Sequence, residues 1–432
     1  MSSSSCSNAA PAETAARPGM AALAAYGLLG LPLAMVALPV YMQLPAWYVH
    51  DVGLGAATTG FVLFGARLLD TVQDPWLGRL VDVLARRGRL GAALRGAALL
   101  LALAFAGLWR APPAAAPGEA VAWLAGMLAL TYGAHSLLNI ALLAWGARLA
   151  PDARGRTRAA AWREACGLAG VLIASVLPAG LRAIQAPVVA MDLYAVIFTI
   201  LLFLGVELLL RRAPRWQAAA AAAPAPGEGA AAALGPAVRR LMLPYAVNAL
   251  AVALPATLAL FFIDDQLGAR DWTAAFLASY FLAGAAGTPL WVRLAARIGA
   301  ARAWAAAMVL ALLTFTGAAW LGPGDGVAFE LVCLLSGLAL GADLVLPPVL
   351  LAAAIGPQRD PGVPFGVWTL LGKLATALSA LALPALQWAG YQPGLRGGGR
   401  SLVLAYAALP CLLKLVALAL LFFRVIAREE TV

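Results

Sequence analysis

The chain has 432 residues, 63% of them hydrophobic and only 12% charged, with a formal charge of +10 and a mean hydropathy of +0.87. A soluble chain of this length needs about twice that share of charged residues to cover its domains. The composition excludes a soluble enzyme, a disordered chain and a disulfide scaffold. It leaves an all-α integral membrane protein, because outer-membrane barrels alternate polar and apolar residues. The basic excess sits between hydrophobic runs, which points to membrane orientation rather than to nucleic acid.

A bilayer-spanning helix needs about 20 apolar residues. Twelve runs qualify, at 20–47, 57–83, 91–109, 119–149, 157–181 and 188–210, then 238–263, 273–297, 301–321, 327–355, 362–388 and 401–424. Residues 1–19 read as a cytoplasmic tail without the apolar core of a cleaved signal. Residues 20–212 form a first six-helix bundle, and 213–236 an Ala/Pro linker on the cytoplasmic surface. Residues 237–426 form a second six-helix bundle, and 427–432 a short cytoplasmic tail. Six-plus-six organisation suggests duplication and alternating access. Arginines cluster at 79–95, 148–163, 211–240, 293–302 and 424–428, against only Arg110, Arg182, Arg270, Arg396 and Arg400 on the other side. The positive-inside rule then places both termini in the cytoplasm. The four cysteines, Cys6, Cys166, Cys333 and Cys411, lie too far apart in sequence for a metal motif.

Ionisable residues within spans cost roughly 2.5–3.5 kcal/mol each on insertion scales, so each needs a reason. The second run holds Arg67, Asp70 and Asp74, with Pro75 next. Steps of three and four put all three on one helix face. Two carboxylates one turn apart offer hard oxygen ligands to a small cation, and Pro75 frees the Thr71 carbonyl from its helical bond. Lys373 in the eleventh run should seek a carboxylate, with Asp70 or Asp74 across the interface between halves as its candidates. A cation replacing that ammonium would couple ion binding to domain motion. The fourth run carries Thr131, His135, Ser136 and Asn139 as a polar stripe. His135 either bonds a neighbouring helix or carries a proton. Asp343, before Pro347 and Pro348, is a substrate or proton site, or the partner of Lys414. Arg163 and Glu164 can form a local ion pair.

The segments Tyr26-Gly-Leu, Asp51-Val-Gly-Leu54 and Ala66-Arg67-Leu-Leu-Asp70-Thr-Val-Gln-Asp74-Pro75-Trp-Leu-Gly78-Arg-Leu-Val-Asp82 resemble the glycoside–pentoside–hexuronide cation symporters. These are the melibiose-carrier-like branch of the major facilitator superfamily. Their second-helix pattern R-x-x-D-x-x-x-D-P-x-x-G is complete here. Pro289-Leu-Trp-Val-Arg293-Leu and Phe365-Gly-Val-Trp368-Thr-Leu-Leu-Gly-Lys373-Leu are similar to the family's eighth- and eleventh-helix segments. The resemblance implies the major facilitator fold in the bacterial inner membrane, with no cofactor beyond Na⁺ or H⁺ as coupling ion. It places the cation site, Na⁺ if sodium-coupled, on Asp70, Asp74 and Ser136. The membrane lysine falls on Lys373, the motif arginine on Arg67 and a sugar-side arginine on Arg163.

Three departures stand out. The Lys-Asp pair of the melibiose-type first helix falls on Leu33 and Ala34, and the fourth-helix sugar-binding acid falls on Asn139. The acidic stretch after the tenth helix is replaced by Ala-Ile355-Gly-Pro-Gln-Arg359. The sequence therefore reads as a monomeric symporter of a small solute, a sugar or an anionic or amphiphilic compound. Its solute cavity would be lined by His135, Asn139, Arg163, Asp343 and Trp368. A lysolipid or amphiphile carrier of the same fold is the rival, and a non-transporting receptor a further one. The spans show no nucleophile–base constellation of the kind an enzyme requires.

Overall fold

The computed structural model describes residues 18–37, 39–112, 117–150, 152–214, 216, 234–357, 359–392 and 399–427. The amino-terminal tail to residue 17, most of the 213–236 linker and the last five residues lie outside that set. Cys6, Arg215, Arg396 and Arg428 lie outside it too. The described residues are helical and form no strand.

Helix α1 is interrupted: Met20–Leu28 and Gly30–Met35 lead into a π turn, Pro39–Gln43, and the short helix Leu44–His50. The others are α2 (Ala56–Arg86), α3 (Leu90–Leu108), α4 (Pro117–Arg148), α5 (Ala153–Ile184), α6 (Pro187–Arg212), α7 (Pro236–Gln266), α8 (Thr273–Ile298), α9 (Ala300–Ala318), α10 (Gly326–Ile355), α11 (Gly362–Trp388) and α12 (Gly399–Ile426). Eleven are long and apolar enough to cross a bilayer; α2 falls short of that measure. The reason is visible in its sequence. In 31 residues it carries Arg67, Asp70, Asp74, Arg79, Asp82 and Arg86. At 1.5 Å per residue it is about 46 Å long, enough to span the hydrocarbon core. Its apolar stripe is intact: Phe61, Phe64, Leu68, Val72 and Trp76 are exposed, whereas Asp70, Thr71, Asp74 and Asp82 are buried. The three acids face protein, as an intramembrane charge must, while Arg79 and Arg86 are exposed toward the helix's arginine-rich end.

The packing repeats with a shift of six helices. Contacts of α1 with α5 and α6, of α2 with α4, and of α3 with α4 and α6 recur as α7 with α11 and α12, α8 with α10, and α9 with α10 and α12. Between the two groups, α2 meets α11 and α5 meets α8, again the same pair shifted by six. Sequence carries a trace of this: Asp74-Pro75 followed by Arg79-Leu80 has the spacing of Thr288-Pro289 followed by Arg293-Leu294. The α8 copy has a hydroxyl where α2 has an acid, so the acid pair is particular to α2.

The halves close on each other at the arginine-rich end. Gly78 of α2 and Gly362 of α11 approach so tightly that a Cβ on either would strike the other's backbone. Both carboxylate oxygens of Asp82 receive backbone N–H groups of α11, Gly362 to Oδ1 at 2.7 Å and Val363 to Oδ2 at 3.0 Å. This is an anion seated on a helix N-terminus. Arg86 pairs with Asp360, and the Arg148 guanidinium donates to the carbonyls of Pro357 and Arg359.

Candidate functional site

Deeper along the same α2–α11 contact lies a buried cluster of charge. The i, i+4 spacing of Asp70 and Asp74 aims both carboxylates at α11, where Lys373 reaches across from the second half. Its Nζ donates to Asp70 Oδ1 at 2.6 Å, Asp74 Oδ1 at 2.9 Å, Ser136 Oγ at 2.7 Å and the Asp70 carbonyl at 3.0 Å. From α4, Ser136 Oγ also donates to Asp70 Oδ1 at 2.9 Å. Asp70, Asp74 and Ser136 are 3%, 0% and 2% exposed. Four oxygens from two helices thus surround one positive charge held by a third. The carbonyl engaged is that of Asp70, not that of Thr71, which Pro75 deprives of its helical partner. The helix runs through Pro75 unbroken, and residue 70 is the one on the α11-facing side. Asp74 Oδ2 is buried with no hydrogen-bond partner.

Arg67 stands apart from this knot. Its guanidinium is 4.0 Å from Asp70 Oδ2, beyond hydrogen-bonding distance. It lies over the Tyr41 ring at 4.3 Å from the centroid, with Tyr132 at 5.9 Å. Among the described residues no three His, Cys, Asp or Glu side chains gather as a metal site; the acid pair is completed by a hydroxyl instead. Asp70, Asp74, Ser136, Lys373 and, more loosely, Arg67 are therefore brought together.

The residues expected around a solute separate into several places. His135 Nε2 is 3.0 Å from the Leu33 carbonyl on α1, and Asn139 is half-buried one turn along α4. Arg163 pairs with its neighbour Glu164 and packs over Gly30 and Gly27 of α1. It lines a small cleft with Tyr26, Pro348, Val349 and Phe365 near the closed end. Trp368 stacks on Tyr245 of α7, with centroids 3.3 Å apart. No sequence signal marked Tyr245, an aromatic in an apolar helix.

Asp343 does not join the Asp70 cluster. Its Oδ2 accepts from Lys414 Nζ at 2.7 Å, and its Oδ1 from Asn248 Nδ2 at 3.0 Å and Trp304 Nε1 at 2.7 Å. One carboxylate thereby ties α7, α9, α10 and α12 inside the second half. Of the alternatives open for Asp343 and Lys414 in sequence, the structure shows the mutual pair.

Known structures share this architecture. A bacterial homologue of the iron transporter ferroportin, in an outward-facing state, superposes with a TM-score of 0.71 at 15% identity, over 93% of this chain and 98% of its own. The E. coli fucose:proton symporter gives 0.70 at 15% identity, over 94% and 97%. The human organic anion transporter MFSD10 gives 0.63 at 18%, over 93% and 98%. At these identities the likeness is one of fold. No curated protein matches the sequence. The sequence profile of the MFS/sugar transport protein family matches residues 23–428. With two packed groups of six helices and a profile match over nearly its whole length, the chain belongs to the MFS/sugar transport protein family of the major facilitator superfamily.

Proposed function

We propose that this chain is a secondary active symporter of the melibiose-carrier-like branch, coupling movement of a small solute to Na⁺ or H⁺. The observation that carries the reading is the Lys373 ammonium held by Asp70, Asp74 and Ser136. Carboxylate, hydroxyl and carbonyl oxygens are the ligands a hard cation takes, and here a tethered cation already sits among them. Lys373 belongs to the second half and its oxygens to the first. A Na⁺ ion that displaces it therefore weakens the tie between halves. A proton on the unpartnered Asp74 Oδ2 acts in the same sense by removing one of the two negative charges. Either step biases the rocking of one half on the other about a central site. By linkage, a solute that favours the cation-loaded state must bind more tightly in the cation's presence.

The solute is read as a small organic anion in preference to a neutral sugar. The positions where the family resemblance places sugar-binding acids hold Ala34 and Asn139 here, and an amide is a neutral hydrogen-bonding group. The protein is placed in the bacterial inner membrane with its arginine-rich end and both termini in the cytoplasm. On that placement the structure is the state closed toward the cytoplasm.

The test is cation-dependent stability of the purified protein. Thermal unfolding in Na⁺ against choline at constant ionic strength, and across pH, should show a cation-dependent rise in Tm. Asp70→Asn and Asp74→Asn should each abolish it while remaining folded. A wild-type Tm indifferent to both Na⁺ and pH, or one equally responsive in both variants, rejects the coupling site.

A further inference from the structure

Away from the coupling cluster, the seam between α3 and α6 opens on the outer face of the first half. A groove of about 550 Å³ lies there, near the end opposite the arginine-rich one. Small residues make the hollow: Ala106 and Gly107 on α3, Ala195 on α6. Trp123 of α4 lies beneath and donates Nε1–H to the Gly107 carbonyl at 2.9 Å. A Cβ on Gly107 would lie 2.7 Å from Met127 Sδ of α4, so packing from below keeps that wall bare. Leu103, Val196 and Ile200 form exposed apolar rims. From Leu103 to Arg110, and from Ile200 back to Asp192, the groove runs about 10–12 Å along the helices, most of the depth of one hydrocarbon leaflet.

An ion pair stands at the head of the groove. Arg110 follows the last residue of α3, at the level where a membrane-spanning helix meets the head groups. Its Nε donates to Asp192 Oδ1 at 2.9 Å and its Nη2 to Oδ2 at 2.8 Å. Nη1 has no partner among the described residues, and the Arg110 side chain stays 66% exposed. The pair is neutral but polarised, with an open cation and an open anion side by side. At the other end of the same seam, Arg95 and Arg211 share Glu207 and leave a net positive charge.

We infer that this groove is a phospholipid site, and that the head group it selects is a zwitterion bearing a primary ammonium. An acyl chain lies in the hollow, the phosphate accepts from Arg110 Nη1, and the ammonium donates to Asp192. The rims face the bilayer, so the occupant comes from the bilayer. The paired charges then choose among its lipids. An anionic head group with no cation of its own sets a like charge beside Asp192. A quaternary ammonium has no N–H to donate, whereas a primary one has three, and a hydrogen bond between ions is the strong kind. A second copy meeting this face about a two-fold axis through the seam sets hollow against hollow and leaves both unfilled. The inference needs only a chain that spans a membrane and is independent of the coupling ion and the solute.

The experiment offers the full-length protein an equimolar mixture of dioleoyl phosphatidylethanolamine, phosphatidylcholine and phosphatidylglycerol in detergent micelles. Native mass spectrometry then reads which lipids stay bound as the detergent is stripped. The expected result is one firmly held phosphatidylethanolamine, retained about tenfold over either competitor, on the order of one charge-assisted hydrogen bond. Methylating the ammonium stepwise should lower retention, with the quaternary form lowest. Asp192→Asn and Arg110→Gln should each erase the preference, and Arg95→Gln, at the other end of the seam, should leave it intact. Thr199→Phe keeps the ion pair and fills the groove. The Thr199 hydroxyl bonds only its own helix, at the Ala195 carbonyl, so no tie between helices is lost, and this variant should no longer hold the tight lipid. Equal retention of the three lipids, a preference for phosphatidylglycerol, or a preference that survives both Asp192→Asn and Arg110→Gln overturns the inference. So does a wild-type dimer that Thr199→Phe dissociates, which assigns the groove to a second copy.

Discussion

Replacing Lys373 with Ala removes one ammonium and leaves two carboxylates facing each other, with Arg67, 4.0 Å from Asp70, as the neighbouring positive charge. Asp70 and Asp74 are 3% and 0% exposed, so water cannot take the place of the contacts at 2.6 and 2.9 Å. Breaking a buried ion pair on one side typically costs about 3–5 kcal/mol. That energy becomes available to any cation able to fill the gap, and each 1.4 kcal/mol is roughly a factor of ten in affinity. Lys373→Ala is therefore expected to unfold at a lower temperature than wild type in choline. It should also recover more stability on adding Na⁺ or on acidification, with an apparent cation affinity on the order of a hundredfold higher. Adding Asp70→Asn to Lys373→Ala removes the repulsion and should restore part of the choline Tm. Differential scanning fluorimetry over a cation titration measures all three proteins. A Lys373→Ala protein with the wild-type Tm in choline and the wild-type cation response refutes the idea that this ammonium holds the cation's place.

Two further outcomes follow from the charges outside the site. Asp82→Ala removes two hydrogen bonds from a carboxylate to the N-terminus of α11, each worth about 1.5–3 kcal/mol. A cysteine introduced beside the site should then be labelled faster from the arginine-rich end than in the wild-type background; unchanged labelling means that Asp82 does not hold that end shut. Asp343→Leu alone strands Lys414 and should lower stability by about 3–5 kcal/mol, whereas Asp343→Leu with Lys414→Met should come close to wild type. If the double variant is as unstable as the single, the pair is more than an internal tie.

The α2 pattern was legible because its charges had no other explanation. Acids spaced by four in a span, followed by a proline, make one face and one demand, and a lone lysine on another span answers it. What sequence left open was which residues share a neighbourhood when their helices are far apart in the chain. Asp343 and Lys414 could be considered as partners, but nothing in their spacing indicated Asn248 or Trp304 as the donors that complete the carboxylate. These residues lie on four different helices, so no periodicity joins them. The stacking of Trp368 on Tyr245 was hidden for the same reason. The duplication was visible in hydropathy as six runs and six more, yet the charged sites do not follow it. In the first half the acids of α2 reach out to α11; in the second half Asp343 turns inward to α7, α9 and α12. A carboxylate that binds within one half is indifferent to rocking, because none of its partners moves away. A carboxylate whose counter-charge sits on the other half is strained by that motion, and its affinity for a replacement cation changes with it. That asymmetry is the physical ground for seeking the coupling ion at Asp70 and Asp74 and not at Asp343, although all three acids lie inside long helices and pair with a lysine.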